Sequence, residues 1–140
     1  MRLWDYRIVP YLPRLQLVAE WRELNSVFKK QDNHILINYI YNYPKEYLLT
    51  YTNKVIKEMK KRNIKIKSYA NYNNYFEGIV EKKDMVFKEH NIEYLTICYW
   101  NLREKYLRGQ KGFSDEEWRK LDDFYQKNLT NKNKGGILKV

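Results

Sequence analysis

The chain of 140 residues is poor in the residues from which disulfide-linked and metal-binding domains are built, with one cysteine and two histidines. A single cysteine, Cys98, cannot form an internal disulfide or a CxxC redox pair, and so few ligands do not supply a zinc cluster. We expect Cys98 to be a buried, inert thiol. The sequence also lacks a GxGxxG motif and a P-loop lysine motif, so we expect no metal and no nucleotide cofactor.

Long apolar runs are missing as well. No stretch approaches the roughly 20 uncharged apolar residues that a membrane span requires. Polar residues, Pro10 and Pro13 interrupt the N-terminal segment, where a signal peptide would need an apolar run. We therefore expect a cytoplasmic protein that has no membrane partner.

Acidic residues are the minority charge, since 17 Asp and Glu stand against 27 Lys and Arg and give a formal net charge of +10. Such a charge favours polyanionic partners and raises their rate of encounter. The 14 tyrosines add aromatic faces on which bases can stack. Composition alone leaves a second interpretation open, because an AT-rich genome enriches Lys, Asn, Ile and Tyr whatever the protein does.

The apolar pattern predicts an all-α fold, a compact single-domain bundle of three main helices plus a C-terminal helix, with long loops and an extended N-terminal arm at 1–12. The first main helix is expected at 13–28. Its apolar positions recur at helical spacing and are Leu17, Trp21, Leu24 and Phe28. The polar residues on its other sides are Arg14, Glu20 and Arg22.

The rest of the domain, which we expect to end at residue 129, is assigned from the same pattern and from helix-end signals. Residues 34–43 form an apolar and aromatic run whose period does not separate helix from strand, and we assign it to a helix. Ser114 and Glu117 form a capping box, and Arg62 lies on the solvated face of its helix. The further elements are a second main helix at 44–62, a loop with one short helix at 64–85, a third main helix at 89–108, a C-terminal helix at 115–129 and a flexible tail at 130–140.

The segment LVAEWREL, residues 17–24, is the densest candidate for chemistry. Arg22 and Glu23 are sequence neighbours, so on a helix they diverge by about 100° and do not simply neutralise each other. Glu23 lies on the flank towards the core, where a carboxylate is costly unless cations or donors meet it. A half-buried carboxylate near arginines is a candidate catalytic group. From chemistry alone, an ordinary surface ion pair is the alternative.

The segment from Leu12 to Phe28 reads LxRxxLVAEWRELxSVF and resembles the first helix of the pyrimidine-dimer DNA glycosylases of the phage endonuclease V type. It lines up from the first residue without a gap. VIKEMKKRNIKIK at 55–67 is similar to the second long helix of these enzymes, and EHNIEYL at 89–95 to the start of their third. The opening MRLW and HILINYIYNYP at 34–44 are closer to a bacterial branch of this superfamily.

The resemblance implies a DNA-repair enzyme that binds a kinked duplex, accommodates an extruded base and cleaves the glycosidic bond of a pyrimidine dimer, with associated AP-lyase activity. The nucleophile of the family is the chain's α-amine, and α-amines, with pKa values of about 7.7–8.0, are partly neutral at pH 7. Glu23 matches the catalytic glutamate, which removes a proton during β-elimination. The resemblance therefore implies a catalytic site of Met1, Arg2 and Glu23.

By the same resemblance we expect double-stranded damaged DNA as the partner, no metal or cofactor, a monomer, and a bacterial or viral protein associated with the nucleoid. Each histidine has a plainer interpretation as a helix-end or hydrogen-bonded residue. The residues expected to bind DNA are Arg2, Arg14, Arg22, Lys29, Lys30, His34 and His90.

The chain departs from the phage enzymes near its amine. They have threonine and arginine where this chain has Arg2 and Leu3, and Arg2 is too bulky for removal of Met1 to be expected. A retained methionine shifts the amine by up to about 3.5 Å. The family arginine one turn after Glu23 is Ser26 here. Two other functions stay open: a non-catalytic nucleic-acid-binding module on the same scaffold, and a basic interaction protein whose charge reflects genome composition.

Overall fold

Five α-helices and two short 3-10 helices form the regular structure in a computed structural model, which describes the backbone of residues 1–134 and the side chains of residues 1–129. Within residues 1–134 no strand is present, so the predicted all-α fold is confirmed. The 3-10 helices are Val9–Tyr11 and Asn38–Asn42. The α-helices are α1 (Arg14–Lys29), α2 (Lys45–Lys61), α3 (Ala70–Tyr75), α4 (Ile92–Leu107) and α5 (Asp115–Lys134).

Two asparagines define helix ends: Asn63 ends α2 through its backbone conformation, and Asn91 caps the start of α4 through its side chain. Asn63 follows α2 with a left-handed φ of 59°, and the N–H of Ile64 donates back to the carbonyl of Met59 at 2.8 Å. This hydrogen bond satisfies a carbonyl that the helix end leaves free. Asn91 caps α4, since its side-chain oxygen accepts from the N–H of Tyr94 at 3.0 Å. The third main helix therefore begins at Ile92, three residues later than predicted.

The predicted capping box at the start of α5 is confirmed. The N–H of Ser114 donates to Glu117 Oε1 at 3.0 Å, and the N–H of Glu117 donates to Ser114 Oγ at 3.1 Å. The helix continues to Lys134, past the predicted end at 129, because neither glycine nor proline interrupts the chain before Gly135. The rest of the predicted tail at 130–140 lies outside the described residues.

Two segments are less regular than predicted. Residues 34–43, assigned to a helix, form a turn followed by the 3-10 helix Asn38–Asn42. The arm at 1–12, expected to be extended, turns at residues 6–8 and then forms the 3-10 helix Val9–Tyr11. Both segments end in 3-10 turns that position aromatic and apolar side chains against the main helices. The single short helix expected within 64–85 is present as α3.

The arm is part of the hydrophobic core. Burying one large apolar side chain contributes about 1.5–3 kcal/mol, so the buried arm residues add materially to stability. The N-terminus is consequently held against the helices instead of extending into solvent. The core side chains buried to 1% exposure or less include Leu3, Ile8, Val9 and Leu12 of the arm, Leu17 and Leu24 of α1, Val55 and Met59 of α2, Leu95 and Leu102 of α4, and Leu121 of α5.

Arg62 fastens the end of the arm to α2. Its guanidinium donates to the carbonyl of Leu12 at 2.7 Å and to that of Pro10 at 2.9 Å, and it pairs with Glu58 at 2.7 Å. The prediction that Arg62 lies on the solvated face was wrong, because those two carbonyls need donors that the arm cannot provide itself. The C-terminal end of the arm is thereby fixed to α2.

Candidate active site

A small cavity of about 220 Å³ lies where the arm, α1 and α4 meet. All three residues predicted for catalysis, Met1, Arg2 and Glu23, line it. Met1 and Glu23 are both half-buried, so each is partly exposed to solvent and partly packed against the protein. The remaining lining residues are Trp4, Gln16, Ala19, Leu36, Asn101 and Lys105.

Contacts to α4 fix the first residues of the arm. The Tyr94 hydroxyl donates to the carbonyl of Leu3 at 2.5 Å, and the N–H of Asp5 donates to Cys98 Sγ at 3.4 Å. Burial raises the pKa of the Cys98 thiol to about 11, which fits the inert thiol that the sequence predicts. The guanidinium of Arg2 lies 5.8 Å from the centre of the Tyr94 ring and 5.9 Å from that of Trp4. The N-terminal end is therefore held in one place.

Asp5 is a fully buried carboxylate with a dedicated partner. Its side chain is 0% exposed and accepts three hydrogen bonds from Arg7, from the backbone N–H, Nε and Nη2, each at 2.9 Å. Arg7 Nη2 also donates to the carbonyl of Asn91 at 3.0 Å, which ties the arm to the start of α4. The bidentate pair compensates the cost of burying the charge.

His90 is an interior residue with both ring nitrogens occupied. It is 4% exposed, Nδ1 accepts from the N–H of Tyr6 at 3.3 Å, and Nε2 lies 2.6 Å from the Tyr39 hydroxyl. Burial lowers the pKa of His90 to about 4, so the ring is neutral at pH 7, with the proton on Nε2 if Nδ1 accepts. The structure thus gives His90 a role in holding the arm, the plainer of its two interpretations, and leaves it no exposed nitrogen for a phosphate.

Glu20 is the polar residue of the site that the sequence pattern missed. It was expected on a polar side of α1, but it is 0% exposed and lies in the buried stripe between Leu17 and Leu24. Its Oε2 accepts from the N–H of Trp4 at 2.9 Å and lies 2.5 Å from the Tyr51 hydroxyl. Burial raises the pKa of Glu20 to about 8, with a smaller contribution from Glu23. The spacing of 17, 20 and 24 is the signal that could have revealed it.

The remaining predicted DNA-binding residues do not line this cavity. Arg14, Arg22 and His34 are exposed on the surface. No ion pair joins Arg22 to Glu23 within the side chains described, so the surface-ion-pair alternative for Glu23 finds no support there.

Lys29 and Lys30 line a second, larger cavity of about 490 Å³ at the far end of α1. The Nζ of Lys45, also in its wall, lies 4.1 Å from the centre of the Tyr75 ring and donates to the Tyr75 carbonyl at 3.0 Å. Lysines and aromatic rings together suit a ligand with phosphate charge and flat bases. The aromatic residues of the wall are Phe28, Tyr41, Tyr43 and Tyr75.

Sequence reasoning also missed the contribution of α4 to the smaller cavity. Asn101 and Lys105 are four positions apart, which places them on one face of the helix. Their spacing was visible in the sequence, but nothing in it pointed that face towards the N-terminus. Leu36 reaches the same cavity from the turn at 34–37.

Comparison with known proteins matches the first half of the chain to one family. A family model described as pyrimidine dimer DNA glycosylase matches residues 1–71, which contain Met1, Arg2, Glu20 and Glu23. No curated protein and no solved structure matches the chain. Among the described helices, none is both long and apolar enough to cross a membrane. The described side chains include no group of three or more His, Cys, Asp or Glu residues arranged for a metal ion.

Proposed function

The chain belongs to the pyrimidine dimer DNA glycosylase family, and from that premise we propose that it excises pyrimidine dimers from duplex DNA and then cleaves the strand as an AP lyase. One observation carries the proposal: Met1 and Glu23, which stand far apart in the sequence, line the same small cavity. An amine and a carboxylate at one reacting sugar are what this chemistry requires.

In the proposed first step, the neutral α-amine of Met1 attacks C1′ of the damaged nucleotide. A bond forms between the nitrogen and C1′, the glycosidic bond breaks, and the departing base takes its electron pair and a proton. The proton on the base comes from the attacking nitrogen. The C1′–O4′ bond then breaks, O4′ takes a proton from solvent, and the nitrogen lone pair forms a protonated imine with C1′. This imine makes the 2′ proton acidic.

In the proposed second step, Glu23 accepts the 2′ proton and the C3′–O bond breaks, so that the 3′ phosphate departs with the electron pair. Water then hydrolyses the imine and frees the amine. Glu23 suits this role because it is half-buried at the cavity, where solvent competes less for the carboxylate than it does on an open surface.

In this proposal the duplex binds to positive charge exposed along α1 and just after it. Arg14, Arg22, Lys29 and Lys30 are exposed cations on or just after α1, and His34 follows them on the next turn. Contacts of this kind neutralise phosphates and release counterions. The net charge of +10 supports a polyanionic partner.

A non-catalytic nucleic-acid-binding module is the second candidate, and Arg2 is the observation that favours it. Arg2 disfavours removal of Met1, and a retained Met1 shifts the amine by up to about 3.5 Å from its position in the phage enzymes. The Arg2 guanidinium also lies in the wall of the cavity, beside Trp4 and Tyr94. In that case DNA would bind without forming the imine. The two candidates differ in one covalent product.

Borohydride trapping separates the two candidates. The imine is reducible, so the enzyme should become covalently attached to ultraviolet-irradiated and to abasic duplex DNA through its N-terminal residue. Intact-protein mass spectrometry identifies that residue, and acetylation of the α-amine should abolish trapping while leaving most of the affinity for DNA. A protein that binds duplex DNA at low salt but neither traps nor nicks it would support the binding module instead.

A further inference from the structure

Three short contacts around Glu20 cannot all be two-centre hydrogen bonds unless that carboxyl carries a proton. The Tyr51 hydroxyl lies 2.8 Å from the carbonyl oxygen of Trp4 and 2.5 Å from Glu20 Oε2. Tyr51 has one hydroxyl hydrogen, and the carbonyl of Trp4 can only accept. If Tyr51 donates to the carbonyl, the hydrogen between Tyr51 and Glu20 must come from Glu20.

The alternative, an ionised Glu20, leaves one of the two oxygen pairs without a hydrogen between them. Such a contact at 2.5 or 2.8 Å brings lone pairs together and is repulsive. The N–H of Trp4 also donates to Oε2, and Oε1 is buried without a hydrogen-bond partner within the described structure. Neither hydrogen-bond partner of Glu20 is a cation. An ionised carboxylate there would be buried with no opposite charge bonded to it.

Glu20 and Glu23 stand one helical turn apart on α1, so the two carboxyls influence each other. Both carboxyls lie next to the arm. Glu20 accepts a hydrogen bond from Trp4, and Glu23 lines the same cavity as Trp4 and Met1. Two neighbouring carboxyls do not both ionise readily, and the one in the drier place keeps the proton. Glu20 is fully buried, whereas Glu23 is half-buried at the cavity.

We propose that Glu20 is the proton-carrying member of a carboxyl pair and a positioning residue, which anchors the arm at Trp4 and leaves Glu23 as the ionised base. The part that concerns Glu23 rests on the proposed function. The protonation of Glu20 rests on the contacts alone. Glu20 touches no reacting atom, because no surface of it is exposed. The other titratable groups around it are Glu23 on α1, Tyr51 on α2 and, farther off, Tyr39 in the second 3-10 helix.

The direct test uses Glu20→Gln, whose amide keeps the shape of the side chain and has no carboxyl proton to titrate. In infrared difference spectra at pH 7, the wild type should give the carbonyl band of a protonated carboxyl, and Glu20→Gln should lack it. Glu77→Gln, at an exposed position, is the matched control and should keep the band. If the wild type has no such band, the proposal is overturned.

Melting curves give a second readout that needs no DNA. A carboxyl whose pKa is raised on folding makes the folded state bind more protons than the unfolded state between the two pKa values, so wild-type stability falls as pH rises through that window. Glu20→Gln lacks this loss, and its melting temperature relative to the wild type should rise by at least ~5 °C from pH 5 to pH 8. A difference that does not change with pH would overturn the proposal.

Two further measurements keep the outcomes distinct. Should Glu20→Gln not fold, Tyr51→Phe should retain the protonated band at a higher frequency, since the O–H loses its acceptor, and absence of the band would again overturn the proposal. For the coupling to Glu23, we expect wild-type nicking to decline at alkaline pH, because an ionised Glu20 adds a like charge beside Glu23 and weakens the anchor of the arm, and we expect Glu20→Gln to lack this decline. An unchanged pH profile would overturn the coupling. A wild type that never nicks DNA would overturn the proposed function. The infrared and melting data would still decide whether Glu20 carries a proton.

Discussion

The two cavities along α1 differ in the interactions and side chains that form them. The smaller one, with Met1 and Glu23, depends on an arm that is held by buried hydrogen bonds through Glu20, Tyr94 and His90. The larger one combines exposed lysines with half-buried tyrosines over a floor of buried apolar side chains. Their nearest α1 residues lie within about 10 Å along the helix axis. Under the proposed function, we expect the smaller cavity to determine the chemistry and the larger, lysine-lined one to contribute to affinity.

Replacing Glu23 should produce the largest effect and act on chemistry alone. Glu23→Gln keeps the shape of the side chain but cannot accept the proton, and general-base groups contribute ~10²–10⁴-fold. We expect strand cleavage at saturating DNA to fall by that factor, with affinity for duplex DNA retained. Single-turnover nicking of abasic duplex measures the first quantity, and fluorescence anisotropy measures the second.

Glu77→Gln is the control for this prediction, because it removes one exposed carboxylate that lines neither cavity. It should cleave at the wild-type rate. If Glu23→Gln cleaves as fast as this control, the smaller cavity is not the site of strand cleavage.

Replacing His90 should destabilise the arm and, through it, the smaller cavity. His90→Ala leaves the N–H of Tyr6 and the hydroxyl of Tyr39 without their partner and opens a hole, at a cost of about 2–4 kcal/mol in the free energy of unfolding. Chemical denaturation at pH 7 measures this. His34→Ala, at an exposed position, should change stability by less than about 0.5 kcal/mol.

The pH dependence sharpens the same prediction. The pKa of His90 is lowered from 6.5 to about 4, so between those values the unfolded state binds more protons and wild-type stability falls as pH drops. His90→Ala should show a weaker fall from pH 6.5 to pH 4. An identical fall in both proteins would mean that His90 does not titrate as a buried neutral ring.

Removing charge from the larger cavity should have the smallest effect and act on affinity alone. Lys29→Ala with Lys30→Ala removes two exposed cations, so we expect a loss of about tenfold in duplex affinity at moderate salt and a salt slope reduced by about 2. Cleavage at saturating DNA should not change. Titrations at several salt concentrations measure the slope.

The matched control removes the same charge from α2, by Lys57→Ala with Lys61→Ala, which line neither cavity. Its effect on affinity should be smaller than that of the α1 pair. Equal losses from the two pairs would show that net charge, and not the larger cavity, determines binding.

Periodicity was sufficient to predict the main helices because their apolar stripes are long and their ends carry local signals. The capping box at Ser114 and Glu117 and the run from Leu17 to Phe28 are examples. Residues 34–43 lack a clear period and were over-assigned to a helix. The family match covers 1–71, where the resemblance was strongest.

The spacing of 17, 20 and 24 could have indicated that Glu20 is buried, but not which residues it binds. A glutamate within an apolar stripe is normally assigned to a polar face, and its partners Trp4 and Tyr51 lie 16 and 31 positions away. The placement of Lys105 beside the N-terminus depends on how α4 packs, which no local pattern encodes. Contacts of long sequence separation decide both, whereas the choice of Glu23 came from a local motif and stays a prediction.

The attachment of the arm to α4 also dictates when the site can exist. The N–H of Asp5 finds its acceptor on Cys98, 93 positions later, and that of Tyr6 finds His90 after 84. On the ribosome, Glu20, Tyr51 and Arg62 can already bind the arm, but the N–H groups of Asp5 and Tyr6 must wait for their partners until α4 has been synthesised, since loop closure over that distance precedes any gain from these contacts. A nascent chain arrested after residue 71 would contain Met1 and Glu23 and still lack Asn101 and Lys105, the α4 residues that line the smaller cavity.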